Sequence, residues 1–207
     1  MSKLCAWAAQ SESGTIDGQP GDQTGQEVLI GDWYSFGQDA VYRFKNKYKK
    51  IRNEAASLAG GIANNDCVGY GQSDRLSFYR QWGLVDYDIT RLTTNCNTDC
   101  SAFIGAILNA LGISVSPSVT TFNMDTELMA TGMFDKYTGA EYLNSDAKLM
   151  AGDIVNNSQA HVIMVIDDVP PATGPIPPHS GGGGSGTGDV LLYLMARYIM
   201  MRKERLT

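Results

Sequence analysis

The segment that most constrains this chain runs from Asn95 to Gly112. A polar stretch, Asn95-Cys96-Asn97-Thr98-Asp99-Cys100-Ser101, is followed by Phe103, Ile104, Ile107, Leu108 and Leu111 at i, i+1, i+4, i+5 and i+8. That spacing predicts a helix with a buried face, capped by Asp99 or Thr98 and stopped by Gly112. Downstream, Asp153–Asn156 and His161–Ile166 read as strands, joined by a hairpin connection over 157–160. Upstream, Ala40, Phe44, Tyr48, Ile51, Ala55 and Leu58 recur every three or four residues and predict an amphipathic helix that ends at Gly60-Gly61. A short helix is expected from Ser73 or Asp74 to about Trp82, and another from Met124 to Ala130. Residues 1–34, rich in Gly, Asp, Gln and Thr, read as a loop segment ending in Trp33-Tyr34. Helices first and an antiparallel sheet afterwards predict an α+β domain over residues 1–168.

From Val169 the composition shifts. Residues 170–188 hold five of the seven prolines and the Gly181–Gly184 run. Such a stretch buries no core, so 169–188 reads as a linker. Residues 189–207 are apolar with a basic end, Arg202-Lys203-Glu204-Arg205, and predict a short helix whose last turn complements its dipole. That helix either docks on a partner or membrane surface or simply packs.

A net charge of −6 leaves no basic surface for phosphate neutralisation, which argues against nucleic acid as the main partner. No apolar run reaches the ~18 residues of a spanning helix, and the short apolar stretch near Met1 falls below a secretory signal. Delivery across a membrane would then need another route. The cysteines are Cys5, Cys67, Cys96 and Cys100, and a domain of this size needs no disulfide staples, so reduced thiols are expected. Two scattered histidines fall short of a zinc site, and no cofactor or metal is expected.

Cys100 at a helix N-terminus carries the chemistry. Free N–H groups and the positive dipole end lower a thiol's pKa, predicting a half-exposed thiolate. The same first-turn N–H groups, that of Cys100 included, can hold the oxyanion of a tetrahedral intermediate. His161, opening an apolar strand 61 positions later, is a base held rigidly at a sheet edge. The bland alternatives are a buried small hydrophobe for Cys100 and a surface histidine for His161. Together they form the helix-and-sheet pairing of papain-like enzymes. Asp22 and Gln23, in Gly21-Asp22-Gln23-Thr24-Gly25, either line a cleft, with Gln23 as oxyanion donor, or make Asx- and Thr-type turns. Asp99 is a cap and a further candidate for oxyanion or substrate contact. Tyr70 walls a groove or packs.

Asp99-Cys100-Ser101-Ala102-Phe103 resembles the nucleophile motif of NlpC-type papain-like cell-wall peptidases. Met150-Ala151-Gly152-Asp153-Ile154-Val155 and Ala160-His161-Val162-Ile163-Met164-Val165 resemble two further pieces of that family, in the same order. Gly14, Gly21 to Gly25, Glu27-Val28, Trp33-Tyr34, Tyr70 to Arg75 and Tyr79 are similar to peptidoglycan hydrolases of phages and prophages. The likeness spans roughly residues 10–168. It implies a papain-like fold and cysteine-catalysed cleavage of an amide bond in cell-wall peptide. An amidase cutting between the sugar lactyl group and the first alanine, or a virion tail component that keeps the fold, are the alternatives. Peptidoglycan is the implied partner, with tail proteins reached through residues 189–207. The implied location is the virion tail, or the host cytoplasm with delivery to the wall. That family usually orients its histidine with a polar residue about a dozen positions on. Here Pro170 to Thr173 offers none, and His179 reads as a spacer within the linker. A backbone carbonyl, Gln23 or Asp22 is left as orienter.

Overall fold

A computed structural model describes residues 2–167 and 169–176. The chain divides into two units, Met1–Pro175 and Ile176–Thr207, and the following concerns the first. The remainder of the expected linker, with His179, and the expected helix over 189–207 lie outside the described residues.

Along the chain come β1 (Leu4–Ala8), β2 (Val28–Asp32), β3 (Ala40–Phe44), α1 (Lys49–Ala63), β4 (Val68–Tyr70), α2 (Ser77–Leu84) and β5 (Cys96–Thr98). Then follow α3 (Cys100–Ala110), α4 (Met124–Ala130), β6 (Phe134–Tyr137), α5 (Ala140–Leu143), β7 (Ile154–Asn157) and β8 (His161–Val165). Six strands make one sheet in the order β2-β1-β8-β7-β3-β6, every pairing antiparallel. Strands β4 and β5 form a small parallel pair. The fold is mixed, helices with an antiparallel sheet, compatible with the α+β class.

Alternation divides the large sheet into two covered faces. Cys5, Trp7, Val41, Val155, Ile163 and Val165 form one, sealed by Leu149 and partly buried aromatics that include Trp33, Phe36 and Tyr137. Ala6, Ala8, Val162 and Met164 alternate onto the other and are fully buried, where α1 and α3 lie against β1 and β8. Ile104, Ile107 and Leu108 of α3 are fully buried too, as the apolar spacing predicts.

Three expectations are corrected. Residues 1–34 are not merely loop, for they supply β1 and β2, and β1 inserts beside β8. The sheet is therefore closed by the start of the domain, and helices do not simply precede it. Because both faces of β1 are buried, Leu4-Cys5-Ala6-Trp7-Ala8 shows no polar alternation to betray a strand. Second, the stripe from Ala40 is not one helix. Ala40–Phe44 is strand β3, a 3₁₀ turn covers Asn46–Tyr48, and α1 starts at Lys49. Third, Gly60-Gly61 lies inside α1, which runs on to Ala63. The glycines make room for the chain after Val169, since a Cβ at Gly61 would come within 2.8 Å of the Ala172 carbonyl oxygen. There the Ala172 N–H donates to Ser57 O at 2.8 Å and Ser57 Oγ donates to Pro170 O at 2.7 Å. The start of the expected linker thus packs on α1.

One ion pair ties β3 to the entry of β7. Arg43 Nε and Nη2 donate to the two carboxylate oxygens of Asp153 at 2.8 and 2.6 Å, and the Met150 N–H donates to it at 2.8 Å. Asp153 is wholly buried, and burial pushes its carboxyl above the ordinary range despite Arg43.

Candidate active site

Helix α3 opens where it does because Asp99 caps it. Asp99 Oδ1 accepts from the N–H groups of Ser101 and Ala102 at 3.0 and 2.7 Å. Its Oδ2 meets Arg75 Nη1 at 3.0 Å. Arg75 also donates to Ser101 Oγ and to the Val119 carbonyl. Both oxygens of Asp99 are therefore engaged in holding the helix mouth, an Arg75–Asp99 lock that sequence reasoning did not foresee. Arg75 lies 24 positions before Asp99, and nothing local in the sequence joins them.

Cys100 is the first residue of α3 and is 8% exposed. Burial first, and the Asp99 carboxylate second, push its thiol up to about 12. The N–H groups of Val162 and Ser101 and the charge of Arg75 pull the other way without offsetting this. The expected half-exposed thiolate is thus corrected to a largely buried neutral thiol. Desolvation and the cap's own negative charge outweigh the helix dipole.

The Val162 N–H acts on the Cys100 thiol, but among the described residues no hydrogen bond joins the thiol to the imidazole. Along β8 the donors alternate sides, the Val165 N–H going to Asp153 O and the Ile166 N–H to Leu4 O of β1. Val162 shares the side of Ile166, yet β1 pairs with β8 only at Cys5 and Ala6. The Val162 N–H thus lies past the end of that ladder, and it is one of the groups that pull the Cys100 thiol down. Val162 is the residue that follows His161 in β8.

The His161 ring lies edge-on to Phe36 at 5.4 Å between centroids, Phe36 lies against Tyr34, and Tyr34 against Trp7. Tyr34 was foreseen only as the end of a loop. Its hydroxyl is raised by burial and then by the thiols of Cys5 and Cys100. Desolvation lowers His161 to about 4, and its Nε2 is buried without a hydrogen-bond partner. Among the described residues no orienting residue meets that nitrogen.

This has a consequence for stability. An imidazole at about 4 when folded, against roughly 6.5 when unfolded, binds fewer protons in the native state throughout that interval. Stability is therefore lost as pH falls from 6.5 towards 4, by about 3 kcal/mol across the window. Urea unfolding at pH 7.5 and 4.5 should show this loss in the parent and a clearly smaller one in His161→Gln. Equal losses in both would contradict the burial of an uncharged ring.

The other expected site residues divide. Tyr70 is 6% exposed, and its hydroxyl accepts from Gln72 Nε2. Burial raises that hydroxyl first, with Cys100 and Asp99 adding to it. Asp22 folds its own loop. Its Oδ1 accepts from the N–H groups of Thr24 and Gly25 at 3.0 and 2.7 Å, the Asx geometry. Gln23 Nε2 donates to Pro20 O. The loop nevertheless abuts the strand that feeds Cys100, as the Gly21 N–H donates to Cys96 O at 3.2 Å. Gly69 has to lack a side chain there, because a Cβ would overlap the Gly21 carbonyl at 2.0 Å. Glu27, fully buried, accepts from the N–H groups of Gln23 and Tyr70 and staples this loop to β4. Burial raises its carboxyl.

All four cysteines are free thiols. Among the described residues no group of three or more His, Cys, Asp or Glu side chains gathers to hold a metal, and no helix is long and apolar enough to cross a membrane.

A model of one protein family, the endolysin-like domain, matches residues 6–170. The chain belongs to the endolysin-like domain family. No curated protein and no solved structure matches it. The match begins within β1 and runs past β8, so the Gly21–Gly25 loop, the Cys100 helix and His161 all lie inside it.

Proposed function

We propose that this endolysin-like domain is a papain-like cysteine hydrolase that cuts an amide bond in the peptide of bacterial peptidoglycan. The observation that carries the reading is Cys100 as the first residue of α3, with α3 lying against β8, the strand that His161 opens. Family membership supports the cell wall as the substrate.

With Cys100 near 12 and His161 near 4, both groups are neutral at pH 7. Attack therefore proceeds by general-base catalysis and not from a stored thiolate–imidazolium pair. As the sulfur bonds to the peptide carbonyl carbon, the thiol proton passes to the imidazole. Asp99 occupies the N–H groups of Ser101 and Ala102, which leaves the Cys100 N–H as the first-turn donor to the oxyanion. Collapse of the intermediate breaks the C–N bond, and the imidazolium proton leaves with the amine. Water then hydrolyses the thioester, giving the carboxylic acid and restoring the thiol.

Mass spectrometry of muropeptides released from purified walls tests the reading. Each cut should create one new amino group and one new carboxyl group, with no new reducing sugar. Cleavage next to the lactyl group would identify the amidase variant of the same chemistry. Walls left without new termini would favour a tail component that keeps the fold without cutting. Recovery of the protein from purified virions would place it in the tail, acting with other tail proteins through residues 189–207. Recovery only from late lysates would make it a released lysin.

A further inference from the structure

The Arg75 guanidinium is tied into the mouth of α3 by more contacts than capping the helix requires. Its Nη1 lies 3.0 Å from Asp99 Oδ2, and its Nη2 donates to Ser101 Oγ at 3.3 Å and to the Val119 carbonyl. Asp99 caps α3 through its other oxygen, whose bonds to the N–H groups of Ser101 and Ala102 do not involve Arg75. The Val119 segment comes this close because Gly105 of α3 has no side chain. A Cβ there would meet Ser116 O at 2.8 Å and Val119 Cγ1 at 2.9 Å. The Arg75 side chain is 22% exposed, and its Nε is buried without a hydrogen-bond partner. A mostly buried cation with one donor unmet adds little to stability, which points to a role other than holding the fold.

Charge supplies that role. Asp99 immediately precedes Cys100 and is 5% exposed, and its carboxylate pushes the thiol up, whereas Arg75 pulls it down. Tyr34 and Tyr70, the other ionisable side chains coupled to the thiol, have hydroxyls raised by burial and are uncharged at neutral pH. His161, at the start of β8, is uncharged there too, its imidazole lowered to about 4. Among the described residues the charge acting on the sulfur is therefore set by one carboxylate and one guanidinium, 3.0 Å apart. Negative charge that develops on the sulfur, or on an oxyanion at the first-turn N–H groups, is opposed by Asp99 and favoured by Arg75.

We infer that Arg75 is a positioning residue for Cys100, acting through Asp99: it cancels the charge of the helix cap beside the sulfur and ties the first turn of α3 to the Val119 segment. The inference rests on the proposed peptidase reading for the reaction that Cys100 performs. Its test therefore uses no substrate, only the rate at which iodoacetamide alkylates Cys100 in the full chain, resolved from the other cysteines by peptide mapping. Well below its pKa a thiol's reactive fraction changes about tenfold per unit of pKa, so a thiol pushed higher reacts more slowly at every pH. Arg75→Gln should slow alkylation of Cys100 at least ~3-fold, and Asp99→Asn should speed it at least ~3-fold, since Asn caps a helix as well as Asp does. The double variant, and Arg75→Lys, which keeps the charge, should each stay within ~2-fold of the parent. A merely structural Arg75 would give the opposite sign, because a loosened helix mouth exposes the sulfur and speeds its alkylation. Alkylation unchanged or faster in Arg75→Gln, or no recovery in the double variant, would overturn the inference. Should melting curves show Arg75→Gln unfolded, Arg75→Lys and Asp99→Asn decide, and a faster Arg75→Lys or an Asp99→Asn no faster than the parent overturns it. Cleavage of wall peptide by the parent protein reports on the other reading. The expected alkylation pattern in a protein that cuts no wall peptide would sink the peptidase assignment and leave the control of the sulfur by Arg75 standing.

Discussion

Replacing Cys100 with alanine should abolish wall lysis, lowering the rate by at least ~10³-fold while the protein still folds. On the proposed reading the nucleophile and its base act as a unit, so that without the sulfur His161 has nothing left to activate. The fold should survive because Cys100 is small and sits at the edge of the core, 8% exposed, while Asp99 caps α3 through the backbone without the sulfur. The melting temperature is expected to fall by no more than about 2–4 °C, corresponding to ~1 kcal/mol for a domain of this size. A lysis assay and a melting curve on the same preparation separate the two effects. A variant that unfolds would have lost its activity for a trivial reason, and a folded variant that still clears walls would remove the sulfur from the chemistry.

The largest stability effect is expected at Asp153. Asp153→Ala leaves the Arg43 guanidinium, whose side chain is 13% exposed, without its carboxylate, and leaves the Met150 N–H without its acceptor. Breaking a buried pair from one side costs roughly 3–5 kcal/mol. Removing both charges is a different matter. Burial raises the Asp153 carboxyl even with Arg43 beside it, so desolvation consumes most of what the pair contributes. The double variant Arg43→Met, Asp153→Leu should therefore be distinctly more stable than Asp153→Ala alone. Urea unfolding of the three proteins checks the order, and a double variant as unstable as the single one would show that the pair is worth its own burial.

What could be read from the sequence followed the strength of local signals. Helix α3 was legible from the apolar spacing of Phe103 to Leu111, and α4 from Met124 to Ala130, because a helix buried on one side writes its period into neighbouring residues. The β7–β8 hairpin was legible for a similar reason, with small residues between two apolar runs. Strand β1 was hidden because both of its faces are covered, which erases alternation. Strand β3 was misread because Ala40 and Phe44 lie four apart and join by chance the true helical positions Ile51, Ala55 and Leu58. Gly60-Gly61 looked like a stop only because the chain that needs their space, Pro170 to Ala172, is more than a hundred residues away. The same distance hid the Arg75–Asp99 lock and the approach of Tyr34 to the site. Cys100 and His161 were picked out by residue type and by the element each opens. Their ionisation was not, since burial and the charge of Asp99 are properties of the fold.

The central claim is that the sulfur of Cys100 becomes covalently bonded to the acyl part of the substrate. Rapid acid quenching during turnover of a wall peptide, followed by intact-protein and peptide-level mass spectrometry, tests it most directly. The protein should gain the mass of the acyl fragment, on the peptide that contains Cys100, and the adduct should be lost to hydroxylamine as a thioester is. An adduct on Cys5, Cys67 or Cys96, or brisk turnover with none on any cysteine, would contradict the account.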